Sequence, residues 1–209
     1  MLLTLVAGMS LTCDVRAQSS DAATTPKVTT VAPFGWFRNG SKPEAYVVGV
    51  DGDTTHDGMP SAYAKSIEPA IDGFGGMMQM CDAQNFLGKR LRLSAWMKTE
   101  NTNDEGAHLW FRIDAKEGGA MLQFDNMDSR PMKGTTEWQK CSIVLDVPAN
   151  AGALAFGFFI GGTGHAWVSG VKLEEVGLDV PSTNTYKGEK KRPAAPVNLD
   201  FSVAAPSGI

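Results

Sequence analysis

Three observations predict an all-β fold, a two-sheet antiparallel jelly-roll β-sandwich. Short runs rich in β-branched and aromatic residues recur about every ten residues, about nine runs in all. Turn-forming residues separate them, in a chain that holds 23 glycines and 11 prolines. No window of helical length carries apolar residues at i, i+3 and i+4. The 209 residues are enough for one domain with a sizeable core, flanked by tails.

Taken in order, the chain opens with an apolar run, Leu2 to Leu11, too short to span a bilayer. Val15-Arg16-Ala17 resembles a small-residue cleavage site, so residues 1–17 are expected to be an export signal. Residues 18–32 are Ser/Thr/Ala-rich and aperiodic, as in a linker. The sandwich is expected over 33–178, starting at Pro33-Phe34-Gly35-Trp36. Strands are predicted at 44–50, 61–66, 76–81, 91–98, 108–114, 121–124, 139–147, 154–161 and 166–176. Asp51 to Gly58 and Ile67 to Gly75 are predicted loops. Residues 179–209 are expected to be a flexible tail. Within it, Val197 to Phe201 reads either as the start of a truncated second module or simply as an extended tail.

The central stretch is Leu109 to Trp138. Leu109, Phe111 and Ile113 point to one face; Trp110, Arg112 and Asp114 point to the other. A turn at Glu117–Gly119 sends the chain back through Met121–Phe124 into the polar loop Asp125–Pro131. An indole beside a bidentate donor and an acceptor suits a sugar ring, whose C–H face stacks while its hydroxyls hydrogen-bond. The same ladder also works as plain structure: Arg112 and Asp114 pair with a neighbour and Trp110 covers the sheet. In the loop, Asp125, Asn126, Asp128 and Arg130 either rim a binding face or pin a tight turn through local hydrogen bonds. Both alternatives stay open on the residues alone.

The quoted segments also carry a resemblance. Gly73-Phe-Gly-Gly-Met-Met-Gln79, Gly88 to Thr99, Leu109 to Asp114, Phe124 to Met127 with Arg130-Pro131, Gly134 to Trp138 and Val144 to Pro148 occur in this order. Together they resemble a bacterial galactose-binding-like jelly-roll module, similar to carbohydrate-binding modules. Modules of this kind are appended to some helix-turn-helix regulators and to some tail-specific serine peptidases of the cell envelope. The resemblance covers about Pro33 to Val176 and implies a sandwich with a ligand face on its concave sheet. Related sandwiches often place an acidic pair in the last strand for calcium. Here Ser169-Gly170 follows Trp167-Val168, so no metal is expected.

Composition and missing motifs narrow the function. A net charge of −4 and a pI near 5.4 disfavour nucleic-acid binding over a broad surface. Asp51, Asp53 and Asp57 lack the later bidentate Glu of an EF-hand loop and read as a turn. There is no Gly-x-Ser-x-Gly, no His-Glu-x-x-His and no phosphate loop, and His56, His108 and His165 are scattered. No enzyme activity and no cofactor are therefore expected. Of the three cysteines, Cys13 falls in the signal. Cys141 shares the core parity of Ile143, Leu145 and Val147, whereas Cys81 shares that of Gln79, so two free thiols are favoured over a bridge.

The expected protein is an exported, periplasmic or secreted monomer without a membrane span after cleavage. It would bind a carbohydrate or similar polar envelope ligand. Gln79, Trp110, Arg112 and Asp114 would line the sheet, with Asn126 and Arg130 at its edge. The alternative is an accessory module that docks an envelope protein and takes no small ligand.

Overall fold

The computed structural model describes residues 28–188. The predicted export signal, most of the linker, Cys13, the basic run at 190–192 and the Val197–Phe201 segment lie outside the described residues. Nine antiparallel strands make up the domain: β1 (Phe37–Gly40), β2 (Tyr46–His56), β3 (Met59–Ser66), β4 (Phe74–Asp82), β5 (Arg90–Ala115), β6 (Met121–Asp125), β7 (Met132–Asp146), β8 (Ala151–Gly161) and β9 (His165–Val176). The described residues contain no α-helix; two single 3₁₀ turns sit at Pro43–Ala45 and Gln84–Phe86.

One strand joins the two layers. The second half of β5 lies between β8 and β6, with Phe111 opposite Phe156 on one side and Asp125 on the other. Its first half lies between β9 and β7, with Leu91 opposite Glu175 and Leu145. The first layer therefore runs β1-β4-β8-β5-β6, and the second runs β2-β3-β9-β5-β7. This is the expected sandwich, with a single hydrogen-bonded path curling through both sheets.

Alternation explains the core. Leu91, Leu93, Ala95 and Met97 from the first half of β5 face inward, as do Leu109, Phe111 and Ile113 from the second. Ile143 and Leu145 of β7, and Leu154, Phe156, Phe158 and Ile160 of β8, complete the packed interior. The predicted parity of β5 and β7 is the observed one.

Several boundaries differ from the sequence expectation, each for a local reason. Residues 91–98 and 108–114 belong to one strand, not two. The polar stretch between them keeps pairing with β7 through register shifts, with Asn101 (φ 51°) and Gly106 (φ 78°) taking the left-handed turns that irregular pairing needs. The predicted loop 51–58 is mostly strand. Asp51 Oδ1 accepts the backbone N–H groups of Asp53 and Thr54, which makes a bulge rather than an end. The hairpin itself turns at Asp57–Gly58, both at positive φ. Residues 181–186, expected in the flexible tail, are instead stitched to β7 and β6, the edge strands of the two layers. Thr183 N donates to Val144 O (2.8 Å), Thr185 N to Phe124 O (2.8 Å), and Asn184 Oδ1 accepts from Phe124 N (2.8 Å).

Cys81 is exposed and Cys141 is buried, and both are free. Burial pushes the Cys141 thiol up to about 11, and its sulfur lies 3.6 Å from that of Met132.

The outer face of the second layer holds a second aromatic set. His165 lies 3.5 Å, centroid to centroid, from Trp167 and edge-on to Tyr63. The Trp167 indole N–H donates to Asp51 Oδ2 at 3.0 Å. Burial alone would raise Asp51. The Thr54 amide, the Trp167 indole and the Asp53 amide outweigh it and hold the carboxyl at about 2. His165 goes down to about 4, because burial, and then the charge of Lys65, disfavours its imidazolium. The unfolded chain takes up that proton near pH 6.5, while the folded protein resists it until about pH 4. His165 therefore supports the fold above pH 6.5, and that support is lost as the pH falls toward 4. His165→Phe should flatten the slope of unfolding free energy against pH between about 6.5 and 5, read from urea melts at successive pH values. An unchanged slope would mean another group controls it.

Candidate functional site

The outer face of the first layer carries the groove. Because β5 alternates, His108, Trp110, Arg112 and Asp114 point away from the core on which Leu109, Phe111 and Ile113 pack. Cross-strand pairing sets their neighbours: His108 opposite Phe159, Trp110 opposite Gly157, and Arg112 between Ala155 and Phe124. Gly157 is required here, since a Cβ at that position would stand 2.1 Å from the Met77 carbonyl oxygen of β4. With that position bare, the Trp110 indole packs with Met78 and Ala155, flanked by Phe124 and Phe159.

An open groove of about 700 Å³ lies over this surface. Trp110, Arg112, Phe124 and Phe159 form its floor, and Asn39, Asp72 and Phe74 close one end. Asp104, Glu105, Asn126, Asp128, Pro131 and Lys133 form the rim. Phe124 and Phe159 are half-buried and reach the groove, Phe159 with one face covered by the His108 ring, whereas Trp110 is only 5% exposed. The indole is a buried foundation of the floor, not the free stacking face expected from sequence.

Three of the six predicted site residues, Trp110, Arg112 and Asn126, line the groove; Asp114 lies behind Arg112, and Gln79 and Arg130 are elsewhere. Arg112 keeps 38% of its side chain exposed while its Nε and Nη2 donate to Asp114 Oδ2 at 3.1 and 2.9 Å. The structural pairing weighed above is thus real, yet three guanidinium N–H groups remain for a ligand. Asp114 lies deeper, 10% exposed, and orients Arg112 rather than lining the groove. Asn126 is on the rim, where its Nδ2 donates to Asp128 Oδ1 at 2.8 Å.

Gln79 stands on the opposite face. It pairs across from Phe156, which in turn pairs with Phe111, and its Nε2 donates to Gly35 O at 3.2 Å. Arg130 is also spoken for. Its Nη2 donates to Asp125 Oδ2 at 2.6 Å and to Ser142 O at 3.3 Å. Asp125 is 1% exposed, and its Oδ1 also accepts from Met127 N, which locks Met127 at φ 59° with its side chain in the core. The Asp125–Arg130 pair is the peg that shapes the loop, so the structural alternative holds for this part of it.

His108 was not among the predicted residues, although it shares the parity of Trp110 and Arg112. Its ring stacks on Phe159 (4.5 Å, 8° between planes). Nδ1 lies 2.9 Å from Asn126 O and Nε2 2.8 Å from Glu105 O; a neutral imidazole carries one N–H, so it donates to one of these rim carbonyls while packing against the other. Below the end of the groove, the Tyr46 hydroxyl donates its one proton to Gly162 O at 2.5 Å, with Gly73 O at 3.3 Å beside it. Burial first, and then the charges of Glu105 and Glu68, push that phenol up to about 12.

The two arginines should behave oppositely on truncation. Arg130→Ala leaves the Asp125 carboxylate buried without its cation and should cost about 3–5 kcal/mol. Arg112→Ala acts on a partly wet pair and should cost about 1 kcal/mol or less. Chemical melts of both variants check this, and equal losses would mean the loop is not pegged as described.

No family model matches the chain. It is 44% identical over 169 residues to the uncharacterized HTH-type transcriptional regulator YbfP of Bacillus subtilis (strain 168). The match takes in 80% of this chain and 56% of YbfP, so the chain spans about half the length of that curated relative. Among solved structures, the enzymatically active domain of Bacteriophage CBA120 tailspike protein 4 matches 68% of this chain and 20% of its own at 17% identity, with a TM-score of 0.50. The CBM22-1 xylan-binding domain from Paenibacillus barcinonensis Xyn10C matches 70% of this chain and 88% of its own at 13% identity, with a TM-score of 0.48. At such identities the likeness is one of fold alone, and the strand pairing described above is that of the expected two-sheet antiparallel β-sandwich.

Proposed function

We propose that this chain is an exported, non-catalytic module that binds a carbohydrate in the groove over β4, β8, β5 and β6. The observation that carries the proposal is the composition of that groove. Half-buried Phe124 and Phe159 rings offer apolar surface at the floor, and a rim of Asn39, Asn126, Asp128 and Lys133 offers donors and acceptors. Sugars present those two surfaces together, C–H faces and hydroxyls, and an aromatic floor with a polar rim matches both. The site is held by strands and by the His108 contacts with the rim, so little ordering is needed on binding.

The second reading draws on the likeness to YbfP. In a transcriptional regulator the same groove would serve as the part that senses a ligand. Both readings share the groove and differ in where the chain works.

A glycan array identifies the ligand, and calorimetric titration then measures it. Phe124→Ala should weaken that ligand by about fivefold or more, the equivalent of about 1 kcal/mol from a lost stacking face. Retention of full affinity by Phe124→Ala would mean the glycan binds away from this groove, and an array without hits would favour the accessory docking module.

Export has its own test. Mass spectrometry of the secreted chain should find Gln18 at the N-terminus. Full-length protein beginning at Met1 in the cytoplasm would favour the sensing reading.

A further inference from the structure

Charge is distributed unevenly around the groove. Four carboxylates reach it, those of Asp72, Asp104, Glu105 and Asp128, against the two cations Arg112 and Lys133. Arg112 is already matched by Asp114. The surplus is therefore negative; the four carboxylates are exposed, so their pull on a ligand is Coulombic and weakens with added salt.

One of these carboxylates is given room by a missing side chain. A Cβ on Gly161 would stand 2.8 Å from both the Cβ and the Oε2 of Glu105. Glycine at 161 thus lets the Glu105 side chain lie along the end of β8, facing the groove. The effect of its charge is felt beneath the floor, where Glu105 is among the groups that raise the Tyr46 phenol.

Building on the carbohydrate reading, we infer that the groove selects a saccharide bearing free amino groups, with Asp104, Glu105 and Asp72 receiving its ammonium, and disfavours uronic-acid or phosphorylated sugars. The aromatic floor takes the ring face of any sugar; the carboxylates distinguish its charge. Opposite charge attracts the amino sugar to the recess and forms charge-assisted hydrogen bonds there. A uronate would meet the same carboxylates as like charges.

The test is calorimetric titration of the whole chain with three tetrasaccharides: β-1,4-linked glucosamine, its N-acetylated counterpart and galacturonic acid. At low ionic strength the glucosamine tetramer should bind about tenfold more tightly than the N-acetylated one, and the galacturonate should bind weakest. That ratio should fall toward one near 1 M salt, where the Debye length is about 3 Å. Asp104→Asn with Glu105→Gln should reduce the ratio by about threefold or more, and Gly161→Ala should lower it by displacing Glu105. The salt series needs no variant, so it stands even if a variant folds poorly. Tighter binding of galacturonate, or a ratio indifferent to both salt and substitution, overturns the amino-sugar inference while leaving the carbohydrate reading intact. If none of the three binds and the glycan array is also blank, the carbohydrate reading itself fails and the inference falls with it.

Discussion

β5 hydrogen-bonds to four other strands, β9 and β7 along its first half and β8 and β6 along its second. Without it β6 and β7, which pair with no other strand among the described residues, would be cut off from their sheets. Its inward side chains make the middle of the hydrophobic core, and its outward ones make the floor of the groove. Phe111 and Trp110 are adjacent in sequence and both buried, one among core side chains and the other under the groove. Fold and site are thus two faces of one ladder. A change that loosens the pairing of β5 would disturb both.

Around that ladder three carboxylates, Asp125 and Asp114 buried and Asp51 half-buried, are given fixed donors. Asp125 holds Arg130 and the Met127 amide, Asp114 holds Arg112, and Asp51 holds two backbone amides and the Trp167 indole. Asp125, the deepest of them, would destabilise the fold severely if left without its partners. Partners this close leave each group one favourable arrangement, which is how a short polar loop such as 125–131 holds a defined shape. The rim residues then stand on prepared positions: Asn126 and Asp128 follow directly from the turn that Asp125 sets.

Much of this could be read from residue order, and the failures have physical causes. The parity of β5 was legible because its second half alternates cleanly, from Leu109 to Asp114. The side of Gln79 was not, because Gly-Gly-Met-Met-Gln-Met in β4 is apolar on both faces and alternation gives no sign. Arg130 was legible as either rim or peg, and only the burial of Asp125 decides between them. Phe159 was hidden inside the continuous apolar run of β8, although it contributes a ring to the site. His108 had the right parity, but which carbonyls it would meet depends on loops that residue order does not place.

The irregular middle of β5 has a consequence for how relatives of this chain can vary in length. Inward positions are odd-numbered on both sides of it, Leu91 to Thr99 before and Ala107 to Ile113 after. Thr99 and Ala107 are thus separated by an even step, from one odd position to another, and the two halves stay in phase. Adding or removing one residue there would turn Phe111 outward and Trp110 inward, exchanging core for groove along half the strand. Insertions and deletions between these points should therefore survive in pairs and be purged singly, even though the segment is polar and looks like an ordinary permissive loop.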